Sequence, residues 1–339
     1  MKRHGNLWPK IISLDNIRLA YKKARRGKSR LYAVRKFEQN EEENLLRVQR
    51  ELTEKTFRTS PYHEKMVWEP KPRKIYVLPF APDRIVQHAL MNIVEPIWDN
   101  LLVDQSCSCR TGKGTKAGYD LAAVYVRRFK YCLKCDIRKY YPSISHDLMM
   151  AVVRRKIKCP DTLRLIEEIV RSFPGDKNIP IGNYTSQWLA NIFLNNIDRW
   201  ALQELKVAMV RYSDDICFFS NDKDVLNMIK GILPLKLLKE NNLTLSKMDL
   251  FPVARGVDFL GYRFFPNGVV LLRKRVAKVT KKRMASVRRA IEFGRNPVHF
   301  RSHISSAIGT FKICNSYNLK QSMGLPELAQ AAGIKTKWL

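Results

Sequence analysis

No run of 18 apolar residues occurs in the 339-residue chain, so nothing in it is suited to cross a bilayer as a helix. The opening Met1-Lys-Arg-His-Gly-Asn-Leu-Trp8 lacks the apolar core of a secretory leader, and a cytoplasmic protein is the expectation. No internal repeat and no low-complexity tract is visible. Seven cysteines, an odd number spread through apolar context, read as reduced thiols rather than a disulfide framework. Cys107-Ser-Cys109 and Cys132-Leu-Lys-Cys135 invite a zinc reading. The second pair, however, falls in a strand-like run, where residues three apart face opposite sides. The scarcest commodity is negative charge: 31 Asp and Glu stand against 62 Lys and Arg, a net charge of +31. Apolar residues make up 45% of the chain, enough for a core and too many for wholesale disorder. A folded chain with that surplus repels itself unless a polyanion neutralises it, and nucleic acid is the better match than a membrane surface.

The length predicts two or three structural units. Positive charge concentrates at residues 22–28, at Lys71-Pro-Arg73-Lys74 and, most densely, from Arg273 to Arg289. Leu45, Val48 and Leu52 recur at helical spacing within Glu41–Phe57, and Val86, Leu90, Ile93, Val94 and Ile97 form one stripe of a helix opened by Asp83. Tyr131–Ile137 reads as a buried strand, and Thr185–Leu205 as one long central helix. Val207–Ser220 reads as a hairpin hinged on Tyr212-Ser-Asp-Asp215, and Val257–Phe265 with Val269–Leu272 as another, turning at Pro266-Asn-Gly268. A basic helix follows to about Phe293, and after Pro297 a helix striped by Ile304, Ala307, Ile308 and Phe311. Strands in the middle with helices on both flanks predict an α+β fold rather than a βαβ repeat.

Three acids sit where acids are costly. Asp214 and Asp215 lie side by side between apolar strands, and Asp136 lies near the end of the strand Tyr131–Ile137, whose other face carries Tyr131, Leu133, Cys135 and Ile137. Adjacent like charges beside apolar strands are unfavourable unless cations hold them. Three carboxylates at neighbouring strand tips would make an oxygen-rich site for two hard divalent ions, which can activate a 3′-hydroxyl and stabilise a leaving oxygen in phosphoryl transfer. Spacing alone serves equally for a polar hairpin turn, in which Asp is common.

The surroundings decide between the two. Arg211-Tyr-Ser-Asp-Asp-Ile-Cys-Phe-Phe219 resembles the Tyr-x-Asp-Asp motif of reverse transcriptases, and Lys134-Cys-Asp136-Ile-Arg-Lys-Tyr-Tyr141-Pro-Ser-Ile144 resembles their first catalytic motif. Lys71-Pro-Arg73-Lys74 with Asp83-Arg-Ile-Val-Gln87 is similar to the fingers segment, and Cys109-Arg-Thr-Gly112-Lys-Gly114-Thr115-Lys-Ala117 to the motif after it. Leu243-Thr-Leu-Ser-Lys247 and Phe259-Leu-Gly-Tyr262 fit later segments, so the resemblance runs from about residue 65 to 320. Most of the family carries Gln-Gly where this chain has Pro180-Ile181-Gly182-Asn-Tyr-Thr-Ser186-Gln187. That form is similar to the reverse transcriptases of diversity-generating retroelements, as are the first eight residues and Tyr317-Asn-Leu319. No appended maturase or endonuclease segment and no retron-like Asn-Ala-x-x-His stretch is found.

The resemblance implies a right-hand polymerase: N-terminal region and fingers 1–105, palm 106–148, fingers insertion 149–179, palm 180–266 and helical basic thumb 267–339. It implies Asp136, Asp214 and Asp215, with the Ile137 carbonyl, as ligands of two Mg2+ ions, for which Mn2+ can substitute. Tyr141 would lie under the incoming sugar and exclude a 2′-hydroxyl. Lys71, Arg73 and Lys74, with the backbone amides of Arg138 and Lys139, would face the triphosphate of a dNTP. Ile181 and Gly182 would border the nascent base pair, where an apolar Ile181 cannot make the hydrogen bond that glutamine offers; loose copying follows. Gln187 and Ser186 would sit under the template, with helix capping as the alternative role. Lys247 would protonate the departing pyrophosphate as a general acid. The implied partners are a template RNA, the RNA/cDNA hybrid, and a small basic accessory protein that forms a barrel-shaped oligomer; the implied setting is a bacterial or phage-encoded, cytoplasmic system.

Overall fold

The computed structural model describes residues 3–68 and 72–335. Its strands are β1 (His63–Val67), β2 (Arg73–Val77), β3 (Tyr131–Ile137), β4 (Ala208–Tyr212), β5 (Asp215–Ser220), β6 (Leu245–Pro252), β7 (Val257–Phe259), β8 (Tyr262–Phe264) and β9 (Val270–Leu272). They form a β1-β2 hairpin, a four-stranded sheet in the order β4-β5-β3-β6, and a three-stranded sheet β7-β8-β9. Helices fill the intervals, and the α+β expectation is borne out. The chain divides into two compact units: Met1–Gly114 with Lys134–Phe218 and Asn227–Met248, and Thr115–Leu133 with Phe219–Leu226 and Asp249–Leu339. All three acids singled out above belong to the first.

In that unit, the helix Ile85–Asp99 buries Ile85, Val86, Ala89, Leu90, Met91, Val94 and Trp98, while Ile93 and Ile97 end half-buried at the margin of the stripe. The helix Leu14–Arg25 packs on it, and the buried Asn16 amide ties the two by donating to the carbonyls of Ile11 and Ala89, each at 2.9 Å. The expected helix Glu41–Phe57 stops at Thr53.

The long central helix is not continuous. It runs Tyr184–Phe193, breaks at Leu194 (φ −96°, ψ 3°), resumes as Asn195–Arg199 and ends in a wide turn at Trp200–Glu204. The buried Asn241 side chain donates to the Phe193 carbonyl at 2.8 Å, taking an acceptor that would otherwise serve the helix. A polar side chain inserted into the carbonyl ladder is a recognised cause of such a break.

In the second unit the apolar run Val257–Phe265 forms two strands rather than one. Leu260 (φ 48°) and Gly261 (φ 90°) both adopt the left-handed conformation, so β7 folds back antiparallel on β8, with Phe259 opposite Tyr262. Two successive positive φ values make the tight turn that suits twisted hairpins. β8 then pairs with β9, as the second expected hairpin requires. The basic helix is Lys274–Glu292, and Ile304, Ala307 and Phe311 are the buried face of Arg301–Phe311.

Candidate active site

β4 and β5 are apolar and almost wholly buried, and only the two residues Ser213 and Asp214 join them. Ser213 turns the chain with φ 58°, and Asp215 opens β5. β5 neighbours β3, whose side chains alternate: Leu133, Cys135 and Ile137 are buried on one side, while Lys134 and Asp136 are half-buried on the other. Asp215 and Asp136 thereby come into electrostatic reach, and burial, with Asp214 and Asp136 nearby, pushes the Asp215 carboxyl up. Lys134 opposes that push: its ammonium lies 3.0 and 3.1 Å from the two Asp215 oxygens. Asp136 has its own fastening, since the Ser246 hydroxyl on β6 donates to its carboxylate and lies 3.1 Å from its backbone carbonyl. Lys247 is the next residue on β6 and is exposed.

After β3 the chain turns sharply at Lys139, whose φ of 44° is left-handed, into the short helix Tyr140–Ser143. The two tyrosines take different roles. Tyr140 is buried and donates to the Ala190 carbonyl at 2.5 Å, making it the core member of the pair. Tyr141 hydrogen-bonds Ser213, and burial pushes its hydroxyl up to about 12, so it is neutral at any working pH. The ring is thus fastened to the turn that carries Asp214. One expectation is corrected here: the Arg138 amide, assigned to the triphosphate, donates to the Thr244 carbonyl at 2.9 Å and is spent within the sheet.

The segment Ile181-Gly182 meets the β1-β2 hairpin. The Tyr76 amide of β2 donates to the Ile181 carbonyl at 2.8 Å, and a Cβ built on Gly182 (φ +128°) would stand 2.3 Å from the Tyr76 carbonyl oxygen. Only glycine permits this approach. Neither Ser186 nor Gln187 caps the following helix: Ser186 is buried, Gln187 is exposed, and it is the Gln87 side chain that accepts from the Tyr184 amide at 3.1 Å. On β2, Lys74 contacts Glu64 at 2.8 Å across the hairpin; both are more than half exposed, so the pair is easily exchanged for another anion. Lys71 lies outside the described residues, as does the Arg73 side chain, whose backbone pairs with Val67.

His88 stacks on Tyr184 with ring centroids 4.6 Å apart, and burial, helped by Lys23, Lys28 and Arg84, pushes its imidazole down to about 4. The unfolded chain takes up this proton near pH 6.5, the folded chain only near 4. The contribution to stability is therefore complete above 6.5 and lost as pH falls from 6.5 towards 4. Urea midpoints measured across that range should fall less steeply for His88→Phe, which keeps the stack, than for the parent; equal slopes would exclude this role.

Two residues of this arrangement, Lys134 and Ser246, had no role assigned from the sequence. Lys134 left a signal, being a lone cation two positions from Asp136 on the same strand face. Ser246 has its partner 110 residues away in the chain and left none. Among the described residues no group of three His, Cys, Asp or Glu side chains stands in ligating geometry. Asp215 is occupied by Lys134, and Asp136 by Ser246. The donor chemistry nonetheless fits a hard divalent ion: these are carboxylate oxygens, and Asp215 is crowded by two like charges that a cation would relieve.

A strand-tip cluster of carboxylates on a hairpin and its neighbouring strand has the donor chemistry that divalent-cation phosphoryl transfer uses. Residues 65–264, more than half of the chain, match the model of the family described as reverse transcriptase (RNA-dependent DNA polymerase), and the chain belongs to that family. Reverse transcriptase domains generally use divalent metal ions, usually Mg2+. Among curated proteins, the chain is similar to Protein YkfC of Escherichia coli K12, 25% identical over 136 residues, covering 36% of each. It is also similar to the group II intron-encoded protein LtrA of Lactococcus lactis, 22% identical over 184 residues, 51% of this chain and 31% of that one. The retron Ec83 reverse transcriptase of Escherichia coli is 27% identical over 108 residues, 29% of this chain and 35% of that one. These matches thus span about a third of the relatives' own lengths. Among solved structures, apo telomerase from Candida tropicalis superposes with a TM-score of 0.50 at 10% identity, covering 80% of this chain and 58% of that one. That likeness shows the fold, the right-hand polymerase fold.

Proposed function

We propose that this protein is an RNA-directed DNA polymerase that makes low-fidelity, adenine-mutagenic cDNA from the template-repeat RNA of a diversity-generating retroelement. The observation that carries the polymerase reading is the Ser213-Asp214-Asp215 turn set beside Asp136, in a chain of the reverse transcriptase family. Asp136 and Asp214 would hold the divalent ions, with the Ile137 carbonyl as a further oxygen; Asp215 would share that role or balance the site against Lys134. Bound there, the ions supply activation of the primer hydroxyl and stabilisation of the leaving oxygen. Lys247 would hold the proton for pyrophosphate, and Lys71, Arg73, Lys74 and Lys139 would face the triphosphate. The mutagenic reading is supported by Ile181, whose backbone is tied to β2 while its half-buried side chain offers the base pair no hydrogen bond. A small basic accessory protein that assembles as a barrel belongs to the same reading.

Tyr141 would exclude ribonucleotides by contact with the 2′-hydroxyl. Tyr141→Val should raise ribonucleotide incorporation relative to dNTP by roughly 10²-fold, the scale on which a shaped pocket discriminates. Single-nucleotide extension measures it, and an unchanged ratio removes the sugar-gate role.

A second reading, a group II intron-like or antiphage reverse transcriptase of ordinary fidelity, is favoured by the likeness to LtrA and to a retron enzyme. A catalytically idle RNA-binding scaffold is the third, and the costly retention of three clustered acids speaks against it. Primer extension on a structured RNA with Mg2+ and dNTPs, followed by cDNA sequencing, separates them. Errors concentrated opposite template adenine, in cDNA that an Asp214→Ala/Asp215→Ala variant cannot make, are the expected result. Accurate cDNA would leave the polymerase and overturn the mutagenic role. No cDNA, with or without a basic accessory protein, would favour the scaffold.

A further inference from the structure

The one ion pair with neither side chain exposed at all joins Arg211 to Asp198, among the described residues. Arg211 lies on β4, directly before Tyr212-Ser213-Asp214-Asp215. Its Nε donates to Asp198 Oδ1 at 2.7 Å and its Nη2 to Oδ2 at 2.6 Å, the two-pronged geometry that only a guanidinium offers a carboxylate. Nη2 also reaches the Ser106 hydroxyl at 2.9 Å and the Asn191 carbonyl at 3.0 Å. Nη1 donates to the carbonyl of Ser213 at 3.1 Å. The backbone of Arg211 is held as well: its amide donates to Gln105, and its carbonyl accepts from Cys107.

Stability alone does not account for this arrangement. Taking both charges out of water costs so much that a well-packed apolar pair of similar volume commonly matches or exceeds a buried salt bridge. What an apolar pair cannot supply is the bond to Ser213. That residue sits in the left-handed region, strained for any side chain bearing a Cβ. Its carbonyl belongs to the peptide that leads into Asp214, so fixing that oxygen fixes the plane from which the Asp214 side chain departs. Asp198, on the helix Asn195–Arg199, and Asn191, on the helix Tyr184–Phe193, anchor the other side of the guanidinium.

We propose that Arg211, anchored by Asp198, is a positioning residue that holds the Ser213–Asp214 peptide in its catalytic orientation. The proposal rests on the polymerase reading of Asp214. It places the requirement for Arg211 in orientation, where displacement of a reacting group by about 1 Å can cost on the order of 10²-fold in rate.

The test is the full-length Arg211→Met/Asp198→Leu double variant, which replaces the charges with apolar volume. It should melt within a few degrees of the parent and bind template–primer and dNTP within about threefold, yet extend primer with kcat lowered on the order of 10²-fold. Deuterium exchange of residues 211–216 should be faster. A folded double variant with parental kcat overturns the proposal. So does a loss shared equally by kcat, substrate binding and melting temperature, which would mark the pair as a fold element only. Should the double variant not fold, Arg211→Lys decides on the same readouts, because a single ammonium keeps the charge but cannot bridge Asp198 and the Ser213 carbonyl together. If the parent itself extends no primer, the polymerase reading fails, and the exchange rates still judge the tether: unchanged exchange at 211–216 overturns it.

Discussion

Asp136→Asn is expected to lower kcat for primer extension by at least about 10³-fold, some 4 kcal/mol of lost transition-state stabilisation, while leaving the fold intact. Asparagine has the shape of the carboxylate and can still accept the Ser246 hydroxyl, so the link between β3 and β6 survives. What disappears is a negative charge that presently pushes against the half-buried Asp215. Removing it relieves like-charge crowding, so the melting temperature should hold or rise slightly as activity vanishes. This opposition of signs separates a site residue from a structural one, and calorimetry beside a steady-state assay reads both. Retained activity would dismiss Asp136 from the chemistry; a large fall in melting temperature would recast it as part of the fold.

Gly182→Ala should be nearly as damaging, through sterics rather than charge. The new methyl would stand 2.3 Å from the Tyr76 carbonyl oxygen, with φ at +128°, a region closed to side chains. Backbone strain and overpacking together cost about 2–4 kcal/mol, and the neighbour here is backbone of β2, which cannot swing aside as a side chain would. The segment must part from the hairpin, losing the bond from the Tyr76 amide to Ile181. Limited proteolysis should then cut between residues 60 and 80 faster, and the KM for dNTP should rise. Unchanged proteolysis would mean that the hairpin does not depend on this contact.

Much of the arrangement could be read directly from the chain. Alternation in Tyr131–Ile137 is a period-two signal that survives any packing, and it placed Asp136 on the polar face of a strand. The two apolar runs around Ser213-Asp214 read as a hairpin, and β4 and β5 form one. Where reading failed, a distant side chain or a local turn had intervened. Thr185–Leu205 looks like one helix because its composition is helical throughout; the break is made by Asn241, nearly fifty residues away. Val257–Phe265 looks like one strand because Leu260 is an ordinary strand residue by type, yet it turns with positive φ beside Gly261. The Arg138 amide could be offered to a phosphate on paper, whereas sheet pairing claims it for Thr244.

By itself the sequence determined the charge that demands a polyanion, the α+β order of elements and the identity of the acids, because these depend on residue type and short spacing alone. Only the tertiary structure decided how those acids are held: Lys134 against Asp215, Ser246 against Asp136, and Arg211 bridging Asp198 to the Ser213 carbonyl. Such partners lie up to 110 residues apart, and a side-chain bond at that separation is set by which strand tips the packed core brings together, which no local pattern encodes.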